Sequence, residues 1–430
     1  MASTMVSQSA SYQAAARERF SELVGGDTSL RGWVRIAMLA GLPLAILVGS
    51  PQRVSLSALI AAAYVAAALF TGKFTRANRL TLAYAGVAGG YILLSWLRAK
   101  YFLHLSPYQL SYGTSKAFYF VLIVLPMAVA VAALIDRPEA AWPTASVQVA
   151  GGLAVSVITI ALLGARFLGE GRYTWQGNLI ALGALVAIQP WLIRKFWISA
   201  VIGVISVAAI VYAEARQSLA GFLLALALTS AYWGVARYLQ FGRGTNRRAL
   251  KAVIAPYVLL PLFLIGFTGV WIAVTYHPNQ LCHCITDRLV SLQSNAGDRD
   301  LLIFRGLHLV EESPIIGTGL GSFAGVIPDY LNPTQLYDYP HNVPLEIAAE
   351  TGLVGFALLL VPLLVGWALL LWRGISRASP AIAAVMMLGT IFFVVANLSG
   401  DIPSERGMWI FGIVALKLAL DHTPRPALSK

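Results

Sequence analysis

Residues 54–72, VSLSALIAAAYVAAALFTG, hold no charged side chain; KFTRANR (73–79) follows, and LTLAYAGVAGGYILLSWLR (80–98) then repeats the apolar run. Each run is long enough to cross the hydrocarbon core of a bilayer as a helix. The short link between them carries Lys73, Arg76 and Arg79. Two spans joined by a basic hairpin set the reading for the whole chain. Of the 430 residues 58% are hydrophobic and only 12% charged, against roughly 25% charged in a soluble domain. Mean hydropathy is +0.72. Collagen, disorder and a disulfide-rich secreted scaffold fail on the same figures, since there are only two cysteines. The chain reads as an all-α polytopic membrane protein.

Working outward, apolar runs of span length fall near 33–50, 54–72, 80–98, 116–135, 146–165, 177–193, 196–213, 218–236, 252–276, 345–372, 380–398 and 407–420. They predict about 12 transmembrane helices, the seventh and eighth joined by a very tight turn. The chain then divides into a tail (1–30), nine spans (31–276), one large loop predicted to contain helices (277–342), three spans (343–420) and a second tail (421–430). An even count puts both termini on one side. The link RYLQFGRGTNRRALK (237–251) carries Arg237, Arg243, Arg247, Arg248 and Lys251 with no acid, and Arg194, Lys195, Arg373 and Arg377 fall on the same face. Cationic residues concentrate on cytoplasmic loops, so both termini are expected in the cytoplasm and loop 277–342 outside. The net charge of +12, which in a soluble protein would suggest nucleic acid, follows from this bias, and no nucleic-acid partner is expected. A cleaved signal peptide is not expected either, because a polar leader of 1–30 is too long. Residues 12–23 are an amphipathic surface helix or a solvated tail.

A second basic group maps to the outer face or its boundary: Arg53, Arg98, Lys100, Lys116, Arg166, Arg172, Arg216, Arg288, Arg299, Arg305 and Arg406. The same bias disfavours these positions. A polyanion such as a lipid diphosphate would reward them, since Arg offers phosphate a bidentate fork; the alternative for any one member is snorkelling to lipid headgroups. Arg216, in AAIVYAEARQSLAGFLLALAL (208–228), has apolar span closely on both sides. A charge there is expensive and marks a functional site. An ion pair with Glu214 is the structural alternative, although side chains two apart on a helix do not face each other.

The large loop contains GDRDLLIFRGLHLVEESPIIGTGLGSF (297–323) and leads into YDYPHNVPLEIAAETGLVGF (337–356). Over 298–312, Leu301, Leu302, Leu307, Leu309 and Val310 recur at helical spacing and predict a helix near the membrane surface. Gly317, Gly319 and Gly321 lack the βαβ context of a dinucleotide loop and are read as turns. Cys282-His283-Cys284, with His277 nearby, has neither the spacing nor the second cysteine pair of a structural zinc site, and no metal is expected. A disulfide across one residue would be strained. Asp298 and Asp300 serve as partners of Arg299 or as a helix start. Asn342 suits an N-cap and Pro344 the first helical turn. That places His341 beside a helix N-terminus, where anions are favoured and a neutral imidazole can take a proton. From the residues alone, a structural and a catalytic histidine stay equally open.

Pro340-His341-Asn342, followed by Glu350-x-Gly352 and Gly355, resembles the signature of the bacterial O-antigen ligase superfamily. That group also contains O-antigen polymerases and some protein O-oligosaccharyltransferases. Arg216-Gln217-Ser218 at the head of a span fits, as does Arg299 followed by Pro314, Gly317, Gly319 and Phe323. The long outer loop between late spans fits too. The motifs cover about 210–360; Gln217 departs from the small or hydroxyl residue of many relatives and is given no role. The resemblance implies a GT-C-like architecture in the bacterial inner membrane. It implies inverting transfer of a glycan from undecaprenyl diphosphate to a sugar hydroxyl of lipid A–core on the periplasmic face, with no cofactor and no metal. Arg216 and Arg299 would clamp the diphosphate and stabilise its developing charge. His341 would orient or deprotonate the acceptor hydroxyl. Arg288, Arg305, Asn342 and Arg172 would bind substrate, with Glu350 and Gly352 as structural partners. The first outer loop, Pro51-Gln52-Arg53, offers no carboxylate to a divalent ion.

A polymerase with a second lipid-linked glycan as acceptor, or a ligase accepting a protein hydroxyl, are the alternatives within the superfamily. Ion-coupled transport is disfavoured because acids such as Glu214, Glu346 and Glu350 sit near span ends rather than at the bilayer midplane. The outward bias of basic residues favours a multiply phosphorylated acceptor, whose binding salt would weaken.

Overall fold

The computed structural model describes residues 29–48, 54–71, 75–161, 173–188, 196–213, 216–241, 255, 257–266, 301–328, 336–377, 379–398 and 400–421. Outside the described residues lie segment 12–23, the turn 51–53, the basic link 242–251, His277, Cys282-His283-Cys284 and Asp298-Arg299-Asp300. Arg166, Arg172, Glu214 and Arg288 lie outside them too, as do the side chains of Arg216 and Gln217.

The chain is a polytopic helical membrane protein. Its helices are α1 (Leu30–Val48), α2 (Val54–Thr71), α3 (Arg76–Phe102), α4 (Pro107–Leu134), α5 (Trp142–Ala161), α6 (Tyr173–Ile188), α7 (Phe196–Tyr212) and α8 (Arg216–Phe241). There follow α9 (Tyr257–Gly266), α10 (301–312), α11 (Val343–Leu359), α12 (Val361–Arg377), α13 (Pro380–Leu398) and α14 (Arg406–Leu420). A two-residue antiparallel pairing joins β1 (Ile327–Pro328) to β2 (Leu336–Tyr337). Seven stretches among the described residues are long and apolar enough to cross a membrane, accompanied by the shorter apolar helices Gln176–Ile188, Trp197–Val211 and Tyr257–Gly266.

Among the boundaries that differ from the sequence reading, two matter for the site. The fourth helix begins at Pro107 rather than near 116. Ser106 starts it with a capping box, its hydroxyl accepting from Gln109 N at 3.3 Å while Gln109 Oε1 accepts from Ser106 N at 2.9 Å. Lys116 therefore lies well inside the helix. Further along, α4 widens into a π turn at Phe120–Val124, where Leu125 N donates to Phe120 O. Pro126 explains this, because it cannot donate an amide and its ring clashes with the carbonyl four residues back. The stretch Val343–Ser376, which takes in the expected span 345–372, is interrupted at Leu360, and its first half is itself broken at Gly352 (φ 70°, ψ −176°).

Side-chain contacts sort the helix ends into two groups. At one end Arg35 pairs with Asp136 at 2.9 Å, Lys417 donates to Ile135 O at 2.8 Å, and Tyr232 donates to Ser379 O at 3.0 Å. At the other, Ser218 donates to Asn178 Oδ1 at 2.7 Å, Arg98 to Gly317 O at 2.7 Å, and Asn342 to Asn397 O at 3.2 Å. Helices that alternate in direction require this grouping. The core between the ends is apolar and rich in alanine.

Candidate active site

The site grows from the first two turns of α11. Asn342 caps them in extended conformation, its side chain accepting from Leu345 N at 2.9 Å, with Pro344 in the first turn as expected. The Asn342 amide also donates to Asn397 O at the end of α13, tying the cap to a second helix. His341 precedes the cap at φ 54°, alone among the described non-glycine residues in having a positive φ. That conformation is uncommon outside glycine. The ring is half-buried and meets Tyr339 and Tyr337 edge-to-face at centroid distances of 4.6 and 5.9 Å.

Gly352 closes this first half of α11, and the turn after α10 fills the break. Thr318 N donates to Ala349 O at 2.9 Å and Gly319 N to Glu350 O at 3.0 Å, while Leu353 N donates to Pro314 O at 2.8 Å and Val354 N to Ile315 O at 3.1 Å. Backbone approaches backbone so closely that a Cβ on Gly352 would lie 2.3 Å from Ile315 O, and one on Gly317 would lie 2.4 Å from the Glu350 carbonyl. Gly317, Gly319 and Gly321 all take positive φ in turns, as read from the sequence. Arg98 donates to Ile316 O and Gly317 O at 2.9 and 2.7 Å. Arg98 thus clasps the turn 314–319 through one guanidinium nitrogen.

Helix α10 forms as expected and packs Leu302 and Leu309 against Phe323 and Ala349 of α11. Leu301, Leu307 and Phe304 face outward. Arg305 is half-buried with Glu312 at 3.5 Å, and its neighbour Gly306 packs on Leu345.

Beneath the His341 cap lies a cluster that the sequence reading did not assemble. Lys116, expected to face an outer polyanion, is buried and donates to Glu346 and, at 2.8 Å, to Glu350. The second Glu346 oxygen accepts from Ile402 N at 2.9 Å. Asp401, also buried, accepts from the Tyr112 hydroxyl at 2.7 Å and from Ser404 N at 2.9 Å. Arg406, another member of the outer basic group, is only 1% exposed, with its guanidinium 5.4 Å from the Tyr119 ring centroid. Burial, reinforced by the nearby Asp401 charge, pushes the Glu405 carboxyl up to about 8. The same two causes hold the Tyr339 hydroxyl well above the usual phenol range. The missed signal is legible in retrospect. Glu346 and Glu350 are four apart on one helical face, and the Ser106 capping box places Lys116 too deep to reach solvent.

The described residues therefore bring His341, Asn342, Glu350 and Gly352 onto one short helical rod, with Arg305 on the helix packed beside it. Arg216 opens α8, whose next residue but one, Ser218, touches α6. The remaining candidates, Arg172, Arg288 and Arg299, lie outside the described residues.

No curated protein matches the chain. A family model described as O-antigen ligase matches residues 201–360, a segment that takes in Arg216, the helix 301–312 and the His341 cap; over this segment the chain is similar to that family.

Proposed function

We propose that this chain is a membrane glycosyltransferase of the bacterial inner membrane. It moves an O-antigen glycan from undecaprenyl diphosphate to a sugar hydroxyl of lipid A–core on the periplasmic face. Support comes from the cap of α11: within the O-antigen ligase segment, a half-buried histidine stands at a helix N-terminus that favours anions. The acceptor oxygen bonds to the anomeric carbon as the carbon–oxygen bond to the diphosphate breaks, inverting the centre. His341 orients the acceptor hydroxyl and takes its proton, and undecaprenyl diphosphate leaves. Arg216 and Arg299 neutralise the charge that grows on the leaving oxygens, with Arg172, Arg288 and Arg305 holding phosphates of donor or acceptor. These arginines carry the charge that a divalent cation would otherwise balance, so the reaction is metal-independent.

The test uses purified protein, a lipid-diphosphate glycan donor and EDTA, with and without lipid A–core. Transfer that survives EDTA and disappears in Arg216→Ala is expected. Longer donor-linked chains without transfer to lipid A–core would make the protein a polymerase instead. No product on either acceptor would overturn the proposal and leave a protein acceptor to be tried. General acid–base catalysis contributes about 10²–10⁴-fold, so His341→Ala should lose turnover on that scale. Near-normal activity with an unchanged acid limb in the pH–rate profile would remove His341 from the chemistry.

A further inference from the structure

We infer that Lys116 is a positioning residue for His341, an inference that rests on the function proposed above. The Lys116 and Glu346/Glu350 side chains are 1% and 0% exposed, so the three charges have essentially no contact with solvent. The two carboxylates sit one turn apart on the same face of α11. One ammonium that bonds both fixes the rotation of that half-helix about its own axis and its depth against α4. A single contact would fix neither.

The rod 343–351 is held at its remaining corners as well. Ile402 N fixes the second Glu346 oxygen and Asn397 O holds the Asn342 cap. The turn 314–319 is hydrogen-bonded into the break at Gly352. What the rod carries at its head is Asn342 and the strained His341. On a helix of radius 2.3 Å, a rotation of about 25° moves a Cα by about 1 Å. Displacements of that size at a reacting group cost about 100-fold in rate. A well-packed apolar contact could join the two helices at least as stably as a buried ion group. The charged arrangement adds what an apolar contact lacks, which is direction. Tyr112 closes over it, with its ring centroid 4.8 Å from Lys116 Nζ.

The experiment compares full-length wild type, Lys116→Met and, as control, the exposed Arg79→Met. It combines initial-rate kinetics with a lipid-diphosphate glycan donor and carbethoxylation of His341 by diethylpyrocarbonate. Peptide mass spectrometry reads the modification against the exposed His308 in the same molecule. Lys116→Met should lower kcat by about 100-fold, leave the donor KM within about threefold, and alter the His341 modification rate relative to His308. Arg79→Met should do none of these. Unchanged kcat, or a loss of kcat with His341 reactivity unaltered, would overturn the inference. If Lys116→Met does not accumulate in the membrane, Glu350→Gln replaces it: the Lys116–Glu346 pair stays, one tie is lost, and the same two readouts apply. A wild type that transfers no glycan would defeat the proposed reaction, yet the His341 reactivity comparison would still decide whether Lys116 positions that ring.

Discussion

Two helix pairs in this molecule solve the same problem by opposite means. Between α5 and α6 the backbones meet through glycine: a Cβ on Gly152 would lie 2.7 Å from the Gly183 Cα and 2.5 Å from Leu179 O. Small residues let helices approach closely in an apolar medium, where no hydrophobic gain separates helix from lipid. Between α4 and α11 the joint is instead Lys116 with Glu346 and Glu350. The glycine contact sets a distance and tolerates some rotation; the charged one sets an orientation. The costlier joint sits beneath the His341 cap, where the proposed reaction depends on orientation.

Substitutions can break this comparison or sharpen it. The largest effect belongs to Lys116→Met, which strands two buried carboxylates. Removing one partner of a buried ion group costs about 3–5 kcal/mol, to be read as a fall in thermal unfolding temperature in micelles. Adding Glu346→Gln and Glu350→Gln to it should restore most of that stability, and if it does not, the charges are not what the joint depends on. Gly183→Leu comes next. Overpacking of this kind costs about 1–3 kcal/mol, and it should leave the donor KM and turnover of the surviving folded protein near normal, since no site residue lies on that contact. Asn342→Ala removes the cap of α11 and costs about 1 kcal/mol, visible as faster amide exchange at Leu345.

The smallest effect is a slope with pH. Glu405 has a folded value of about 8 against an ordinary 4.5, so the unfolded chain releases its proton first as pH rises. Stability contributed at this position is therefore greatest below about pH 4.5 and falls through the window up to about 8. Glu405→Gln should flatten that part of the stability profile; an unchanged slope would assign it to other groups.

Most of the helical architecture was legible because apolar runs announce themselves without tertiary context, and the Asn342 cap because capping is local chemistry. The turns at Gly317, Gly319 and Gly321 were legible for the same reason. The partners of Lys116, Arg98 and Arg406 were not legible, because a basic residue near a span end reads alike whether it meets a phosphate, a carbonyl or a buried carboxylate. Only the partner across the bundle distinguishes these, and that partner is more than 200 residues away for both Lys116 and Arg98. The break at Gly352 was hidden because its cause lies in the incoming turn 314–319, not in α11 itself.

The π turn in α4 has a consequence for insertions and deletions. It accommodates one residue more than a continuous α-helix would, and each residue of an α-helix turns by about 100°. The helix thus has two faces in different phase, one that seats Leu125–Leu134 in the core and one that aims Lys116 at α11. Loss of a single residue from Phe120–Val124 would bring the two into phase, leave every side chain of both sections unchanged, and swing the ammonium off the Glu346–Glu350 face. In this stretch the length of the chain carries as much information as its composition.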